Sequence, residues 1–202
     1  MNNIYHRYID VPFKIPKPER FETPGTNHYC HYFDKSVATE EMKTWLQTYN
    51  LTVSNQVEGF YTAPKKSIDL HTDTHTKPGE SDGCVMNFTW GPANSVTRWW
   101  KIRDENKLIK FSHSTHHTGL DKVGVESDID NDFCWFAKRQ DSDIVYEKQI
   151  TKPSLLNIGQ LHDTYNPSDT DIRWTLSFTL LKNKQPLLFL EALEIFSDLL
   201  TE

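Results

Sequence analysis

Residues 67–79 read SIDLHTDTHTKPG and place His71, Asp73 and His75 at alternate positions ahead of a Pro78–Gly79 break. On a strand, side chains two apart share a face, with Cα atoms roughly 7 Å apart. That spacing lets the His71 imidazole and the Asp73 carboxylate converge on one ion. Alone the pair is weak, because a solvated strand end with a hydrogen-bonded His–Asp pair has the same letters. A distant segment, LLNIGQLHDTYNPSDTDIRWTLSFTLL, supplies what is missing. In it His162 follows an apolar strand, in a polar, turn-rich loop, and Arg173 opens the next strand eleven residues later. Two histidines and one carboxylate are the facial donor set of non-haem Fe(II), which leaves positions open on the far side of the metal. An Arg buried among aromatic and aliphatic residues needs an anion to be tolerated. Its planar fork matches a carboxylate. With all four in order, the metal site is favoured over the strand end.

The elements that must position these residues are mostly short strands. LTVSNQVEGFYTA, KKSIDLHTDTH, GCVMNFTWGP and SVTRWWKIR are β-rich runs punctuated by Gly, Pro and Asp/Ser, at the spacing of a sandwich or barrel. HSTHHTGLDKVGVESDIDNDF reads as a polar loop, after which strands resume at SDIVYEKQI, SLLNIG and DIRWTLSFTLL. A short helix precedes the barrel in ATEEMKTWLQTYN, where Thr39 can cap and Met42, Trp45, Leu46 and Tyr49 share a face. The tail, 185–202, reads as a longer helix with two adjacent apolar lines, Leu188–Ala192–Ile195–Leu199 and Phe189–Leu193–Phe196–Leu200. So wide an apolar face suits packing on the sheet; a helix–helix dimer contact is the alternative. The first 25 or so residues alternate Pro with aromatic and basic residues, which suits extended segments, some at a sheet edge, within an N-terminal extension over 1–35. The expectation is one mainly β domain over 1–202, with its core at about 51–181.

Composition narrows the function classes. The 202 residues carry a formal charge of −6 with no Lys/Arg run, so a phosphate-tracking nucleic-acid surface is not expected. Cys30, Cys84 and Cys134 are odd in number and widely spaced, which suits buried thiols in a reducing compartment rather than a disulfide frame. Neither a signal-peptide pattern nor a membrane-length apolar run is visible. A cytoplasmic, membrane-free protein is expected.

The order His71-x-Asp73, His162, Arg173, with Thr175 two residues on, resembles the signature of Fe(II)/2-oxoglutarate-dependent dioxygenases. The likeness is closest to the small aspartyl/asparaginyl- and prolyl-hydroxylase-like branch, which includes phage-encoded members. VMNFTWGPANSVTRWW is similar to the Asn-plus-aromatic strand pair that follows HxD there, and the match runs from about Val53 to Leu181. It implies a double-stranded β-helix (a jelly-roll, cupin-like barrel). His71, Asp73 and His162 would be the catalytic iron ligands, and 2-oxoglutarate and O2 the cosubstrates. Arg173 and Thr175 would hold the distal 2-oxoglutarate carboxylate. The implied reaction gives succinate and CO2 while hydroxylating a protein or peptide side chain, Pro or Asp/Asn; a small metabolite is an alternative substrate. Asp73, filling the position a halide would need, favours hydroxylation over halogenation. Two features depart from the pattern. The segment between Asp73 and His162 is long and loop-rich, and Thr175 stands where the closest branch commonly has Ser.

Other residues keep two readings. Asn87 shares a face with Val85 and Thr89; it either binds a carboxylate inside the barrel or serves a core hydrogen bond. Of Trp99 and Trp100, one ring belongs in the core and one at a surface or pocket rim. His75 is a surface residue, or else a substitute or supporting ligand. His113, His116 and His117 form a solvated loop cluster. The chain as a whole could also be a cupin-like metal- or ligand-binding module without oxygenase activity. Its oligomeric state is open between monomer and homodimer.

Overall fold

The protein is described from a computed structural model over residues 4–17, 28–74, 76–112 and 133–202. In chain order the strands are β1 (His6–Ile9), β2 (His28–Asp34), β3 (Leu51–Val53), β4 (Gln56–Thr62), β5 (Cys84–Trp90), β6 (Val96–Ile102) and β7 (Ile109–Ser112). They continue with β8 (Phe133–Phe136), β9 (Ser142–Gln149), β10 (Ser154–Asn157), β11 (His162–Tyr165), β12 (Arg173–Lys182), β13 (Gln185–Pro186) and β14 (Leu200–Thr201). Among the described residues two α-helices, α1 (Glu40–Gln47) and α2 (Phe189–Ile195), flank the barrel strands in sequence.

In the large sheet β10, β5, β12 and β4 lie side by side, with β1 and β14 beyond β10 and β2 beyond β4. The small sheet has the order β11-β6-β9, and residues 67–71 join its β11 edge through bridges Ser67–Tyr165 and His71–His162. Let β4 be the first barrel strand and 67–71 the second, leaving aside the β7–β8 hairpin inserted after β6. The large sheet then runs first, eighth, third, sixth, and the small sheet second, seventh, fourth, fifth. That interleaving is the jelly-roll, or double-stranded β-helix, in which successive strands cross between the two sheets.

The alternation of letters on β12 shows why the sheet closes this way. Leu176, Phe178 and Leu180 point to one side and are buried with Val57, Met86, Phe88 and Leu155. Against that side pack Met42 and Leu46 of α1 and Phe189 and Ala192 of α2. Arg173, Thr175 and Ser177 point to the other side, into the space between the sheets. One face therefore builds the core and the other the interior of the barrel.

The helix before the barrel forms where the letters place it. Thr39 Oγ1 accepts the Met42 N–H at 3.2 Å, and Glu40 and Glu41 occupy the first turn. The tail departs from the expected long helix. Only Phe189–Ile195 is α-helical; Ser197–Leu199 forms a 3-10 turn, and Leu200–Thr201 pairs with Tyr8–Ile9 as an edge strand. The open edge of β1 captures the chain, since unpaired backbone groups there satisfy the last residues better than another helical turn would. The apolar face packs inward: Phe196 stacks on Trp45 with centroids 5.2 Å apart and planes at 7°, and meets Tyr49 edge-on at 5.0 Å. Of the first 25 or so residues, expected as extended segments, His6–Ile9 forms β1 near one end of the large sheet; β2, further along the chain, forms its other end. No helix among the described residues is long and apolar enough to cross a membrane.

Truncating Phe196 to Ala removes the ring that joins α1 to the tail. The expected loss is about 3–5 kcal/mol of unfolding free energy, read by urea unfolding with Trp fluorescence. A loss under about 1 kcal/mol would show that the site collapses around the gap and that the stack is dispensable.

Candidate metal centre

Neither segment that carries the histidines is a simple strand of the expected kind. KKSIDLHTDTH makes only isolated bridges, at Ser67 and His71, because two different neighbours share it. His71 exchanges both backbone hydrogen bonds with His162, at 3.1 and 2.8 Å, while Thr72 N–H donates to Trp135 O and Asp73 N–H to Ile158 O. His162, read as lying in a loop, opens strand β11, whose whole length pairs with β6. The polar letters of HDTY mislead because Asp163 is not solvated but fully buried.

Asp163 explains how the second histidine is held. Its carboxylate accepts from Arg98 Nε at 2.8 Å and Nη2 at 2.6 Å, from Arg139 Nε at 2.9 Å and from Trp100 Nε1 at 3.1 Å. Arg139 also donates to the Ile68 carbonyl, and Arg98 to Ser67 Oγ at 3.3 Å. The cluster therefore rivets β11 to β6 and to the segment leading into His71. A buried carboxylate paired in this way is costly to unpair from one side. Since strand side chains alternate, fixing Asp163 outward fixes His162 inward.

The two imidazoles and the Asp73 carboxylate converge. His71 Nε2 lies 2.9 Å from Asp73 Oδ1, His162 Nε2 lies 3.5 Å from Asp73 Oδ2, and the ring centroids are 4.8 Å apart. One ligand atom from each of the three lies within 4.8 Å of the others, so the group could hold a metal ion. Each Nδ1 faces a carbonyl two residues back, Asp69 O at 2.6 Å for His71 and Gln160 O at 2.9 Å for His162. That bond sets Nδ1 as the donor and leaves each Nε2 facing the Asp73 carboxylate, the usual support of a metal-binding His. Phe136 stacks on His71 at 5.7 Å.

Electrostatics express the same closeness. Burial works against a charged His71, but the Asp73 carboxylate facing it, their hydrogen bond, the Asp69 carbonyl and Glu58 outweigh burial and lift it to about 9. Burial would raise Asp73, yet the two imidazoles and their hydrogen bonds hold it well below the carboxylate range.

The triad opens on a small cavity of about 40 Å3 that also receives Arg173, Thr175, Asn87, Thr97, Thr62 and Ser177. Arg173 is 3% exposed; its Nη2 donates to Thr97 Oγ1 at 3.0 Å, and its Nε has no partner among the described residues. Burial lowers it to about 10, with Asp163 opposing the shift. Thr175 Oγ1 lies 3.2 Å from Thr89 Oγ1, and Asn87 Oδ1 is buried without a partner. Gly91 makes room for Arg173: it has φ +124°, and a Cβ there would lie 2.4 Å from the Ile172 carbonyl oxygen. Trp99 belongs to a second core cluster with Val85, Ile150, Leu156 and Ile158. Trp100 sits beside Arg98 and Asp163, and neither ring lines the cavity.

Sequence reasoning missed Asp163 and Thr97. Asp163 was legible only as the neighbour of His162, and Thr97 only through its register opposite Thr164. Cys84 and Cys134 are buried free thiols, as expected. The side chain of Cys30, together with His75, His113, His116 and His117, lies outside the described residues.

No protein-family profile matches the chain, and no curated protein matches it. Among solved structures, oxalate oxidase in complex with the substrate analogue glycolate is similar at 11% identity and TM-score 0.34, over 89% of this chain and 62% of that one. The chain thus spans about six-tenths of the oxalate oxidase it matches. A Cupin_2 domain of an XRE family transcriptional regulator from Enterobacter cloacae is similar at 8% identity and TM-score 0.27, over 76% of this chain and 96% of that one. E. coli ycfD is similar at 10% identity and TM-score 0.36, over 96% and 45%. At these scores the likenesses add nothing to the strand order, which by itself defines the cupin-type jelly-roll.

Two measurements test the centre. Replacing Asp163 with Asn leaves two guanidinium groups without their carboxylate; about 3–5 kcal/mol of stability should be lost, and Zn(II) affinity should fall roughly tenfold or more. Unchanged affinity in folded protein would show that the cluster does not position His162. Secondly, a metal needs neutral His71 Nε2, and His71 is charged below about 9. Ion binding near neutral pH should therefore expel about one proton, and affinity should weaken as pH falls. Calorimetry of Zn(II) binding in buffers of different ionisation heat reads this; zero proton release would remove His71 from the ligand set.

Proposed function

We propose that this chain is a non-haem Fe(II)/2-oxoglutarate-dependent dioxygenase that hydroxylates a protein or peptide side chain, Pro or Asp/Asn, while 2-oxoglutarate becomes succinate and CO2. One observation carries the reading: a His–Asp–His group shares its cavity with a buried Arg173 whose Nε lacks a partner among the described residues. A buried, half-paired guanidinium is costly unless an anion arrives. A dicarboxylate with one end at the metal group supplies that anion at its other end.

The donor set fits Fe(II), with two imidazole Nε2 atoms, one carboxylate and no thiolate. Iron, when bound, supplies the O2 activation that attack on an unactivated carbon requires. The chain's own residues do the rest. His71, Asp73 and His162 hold the ion from one side. Arg173, oriented by Thr97, grips the distal carboxylate, and Thr175 adds a hydroxyl donor from the same strand face. Rotation of the Asn87 amide about its last bond offers Nδ2 in place of Oδ1, a donor for the same anion. Leu156, Ile158, Ile68 and Phe60 wall the cavity with apolar surface, which excludes water and strengthens each charged contact.

Anaerobic titration of 2-oxoglutarate into Fe(II)-loaded protein tests the proposal through the visible charge-transfer band of the keto-acid chelate. A saturable band is expected, with affinity lower by at least about 30-fold in Arg173→Ala. Asp73→Ala should lose succinate formation. Iron-bound, folded protein that gives no band would leave a cupin-like binding module instead of an oxygenase.

A further inference from the structure

Asn157 has no role in the scheme above, yet the turn it opens touches two residues of the metal group. β10 ends at Asn157, and residues 158–161 lead straight into His162. Four successive carbonyls of that turn are taken up. Asn157 O accepts from Trp99 Nε1 at 3.0 Å, Ile158 O from the Asp73 N–H at 3.1 Å and Gly159 O from the Gly79 N–H at 3.1 Å. Gln160 O accepts from His162 Nδ1 at 2.9 Å. The backbone of Asp73 and the ring of His162, brought from distant parts of the chain, thus hang on carbonyls of one turn. His71 does not, since its Nδ1 donates to Asp69 O in its own segment.

The Asn157 side chain fixes the shape of this turn from inside. It is buried, and both ends of its amide are used. Oδ1 accepts the Gly159 N–H at 3.1 Å, the two-residue reach by which an Asn sets a turn. Nδ2 donates to Ile4 O at 3.0 Å, and the Asn157 N–H donates to Tyr5 O at 2.9 Å. The chain ahead of β1 therefore braces the turn. From outside, the backbone of residues 79–83 closes on it. A Cβ at Gly159 would lie 1.9 Å from Ser81 O, and the Ile158 N–H donates to Gly83 O at 2.9 Å. Glycine has more backbone freedom to lose than any other residue, so the bond from Oδ1 restrains the turn where restraint is most needed. Without that bond the buried Gly159 N–H loses its partner, and the carbonyls that serve Asp73 and His162 relax with the turn.

We propose that Asn157 is a positioning residue for the metal group. By holding the 157–160 turn it aims the Asp73 carboxylate and His162 Nε2 at a common ion, and it leaves His71 to its own segment. The inference rests on the reading of His71, Asp73 and His162 as metal ligands and not on the identity of the cosubstrate. Partners that orient metal ligands from behind typically change affinity by roughly 10–100-fold when they are lost.

Zn(II) dissociation constants, measured by chelator competition on folded wild-type, Asn157→Ala, Asn157→Ser and Phe196→Ala protein, test the proposal without turnover. Asn157→Ala should weaken binding at least about tenfold. Asn157→Ser is nearly the same size but keeps an oxygen that can accept the Gly159 N–H, and it should recover at least about threefold. Phe196→Ala, destabilised on the other side of the large sheet, should stay within about twofold of wild type. A spectroscopic signature separates positioning from stability. By NMR of the Zn(II)-loaded proteins, the His162 Nδ1 proton and the Asp73 amide proton should exchange at least about tenfold faster in Asn157→Ala, and the His71 Nδ1 proton less than about twofold faster. Equal affinity in Asn157→Ala and wild type, no recovery in Asn157→Ser, an equal loss in Phe196→Ala, or equal acceleration at both histidines overturns the proposal. If Asn157→Ala does not fold, wild type decides. Zn(II) should slow exchange of its Gly159 amide at least about fivefold relative to that of Leu176, by reciprocal coupling; no slowing overturns the proposal. Wild-type protein that binds no Zn(II) would remove the metal centre and this proposal with it, whereas binding indifferent to Asn157 would remove only this proposal.

Discussion

The pair of backbone hydrogen bonds between His71 and His162 is the contact on which the rest of the site depends. It places two residues ninety-one positions apart directly opposite each other on neighbouring strands. Directly opposite residues point the same way, so one pairing decides that both imidazoles enter the barrel. Behind it stands the Asp163 cluster, which draws Arg98 of β6 and Arg139 onto one buried carboxylate and ties in Ser67 and Ile68. A register slip of one residue would send Asp163 inward and His162 outward. The ion cluster opposes that slip, because it would strand two guanidinium groups.

The large sheet separates stability from chemistry. Its outer face carries Leu176, Phe178, Met86 and Phe88 against the two helices; its inner face carries Arg173, Thr175, Ser177 and Asn87. The polar interior is tolerable because the apolar burial is completed elsewhere. It still contains groups that the fold leaves unmatched, Arg173 Nε and Asn87 Oδ1 among them. Buried polar atoms without partners are uncommon in native proteins, and they gather where a ligand completes them. In this barrel they lie on one wall, with the His–Asp–His group at the mouth of the same cavity.

Much of this was legible from the letters. HxD and the distal His named three residues whose ligand atoms the fold brings together, because donor type and order survive without coordinates. The two-residue period of RWTLSFTLLK separated Arg173 and Thr175 from the core-facing Leu176 and Phe178, and the same period placed Asn87 with Val85 and Thr89. Thr39 announced α1. Less legible were the elements defined by their neighbours. The tail reads as a helix throughout, but the open edge of β1 takes Leu200 and Thr201 as a strand. HDTY reads as a loop, but three donors bury its aspartate.

The sequence by itself determined the kind of chemistry available, the faces of the strongly periodic strands and the presence of a helix before the barrel, since each is local in spacing or in residue type. Only the tertiary structure decided that His71 meets His162 and that Asp163 is buried rather than solvated. Those facts depend on strand register and on the crossing of successive strands between two sheets. Register is set by contacts between segments far apart in the chain, so no single stretch of letters contains it.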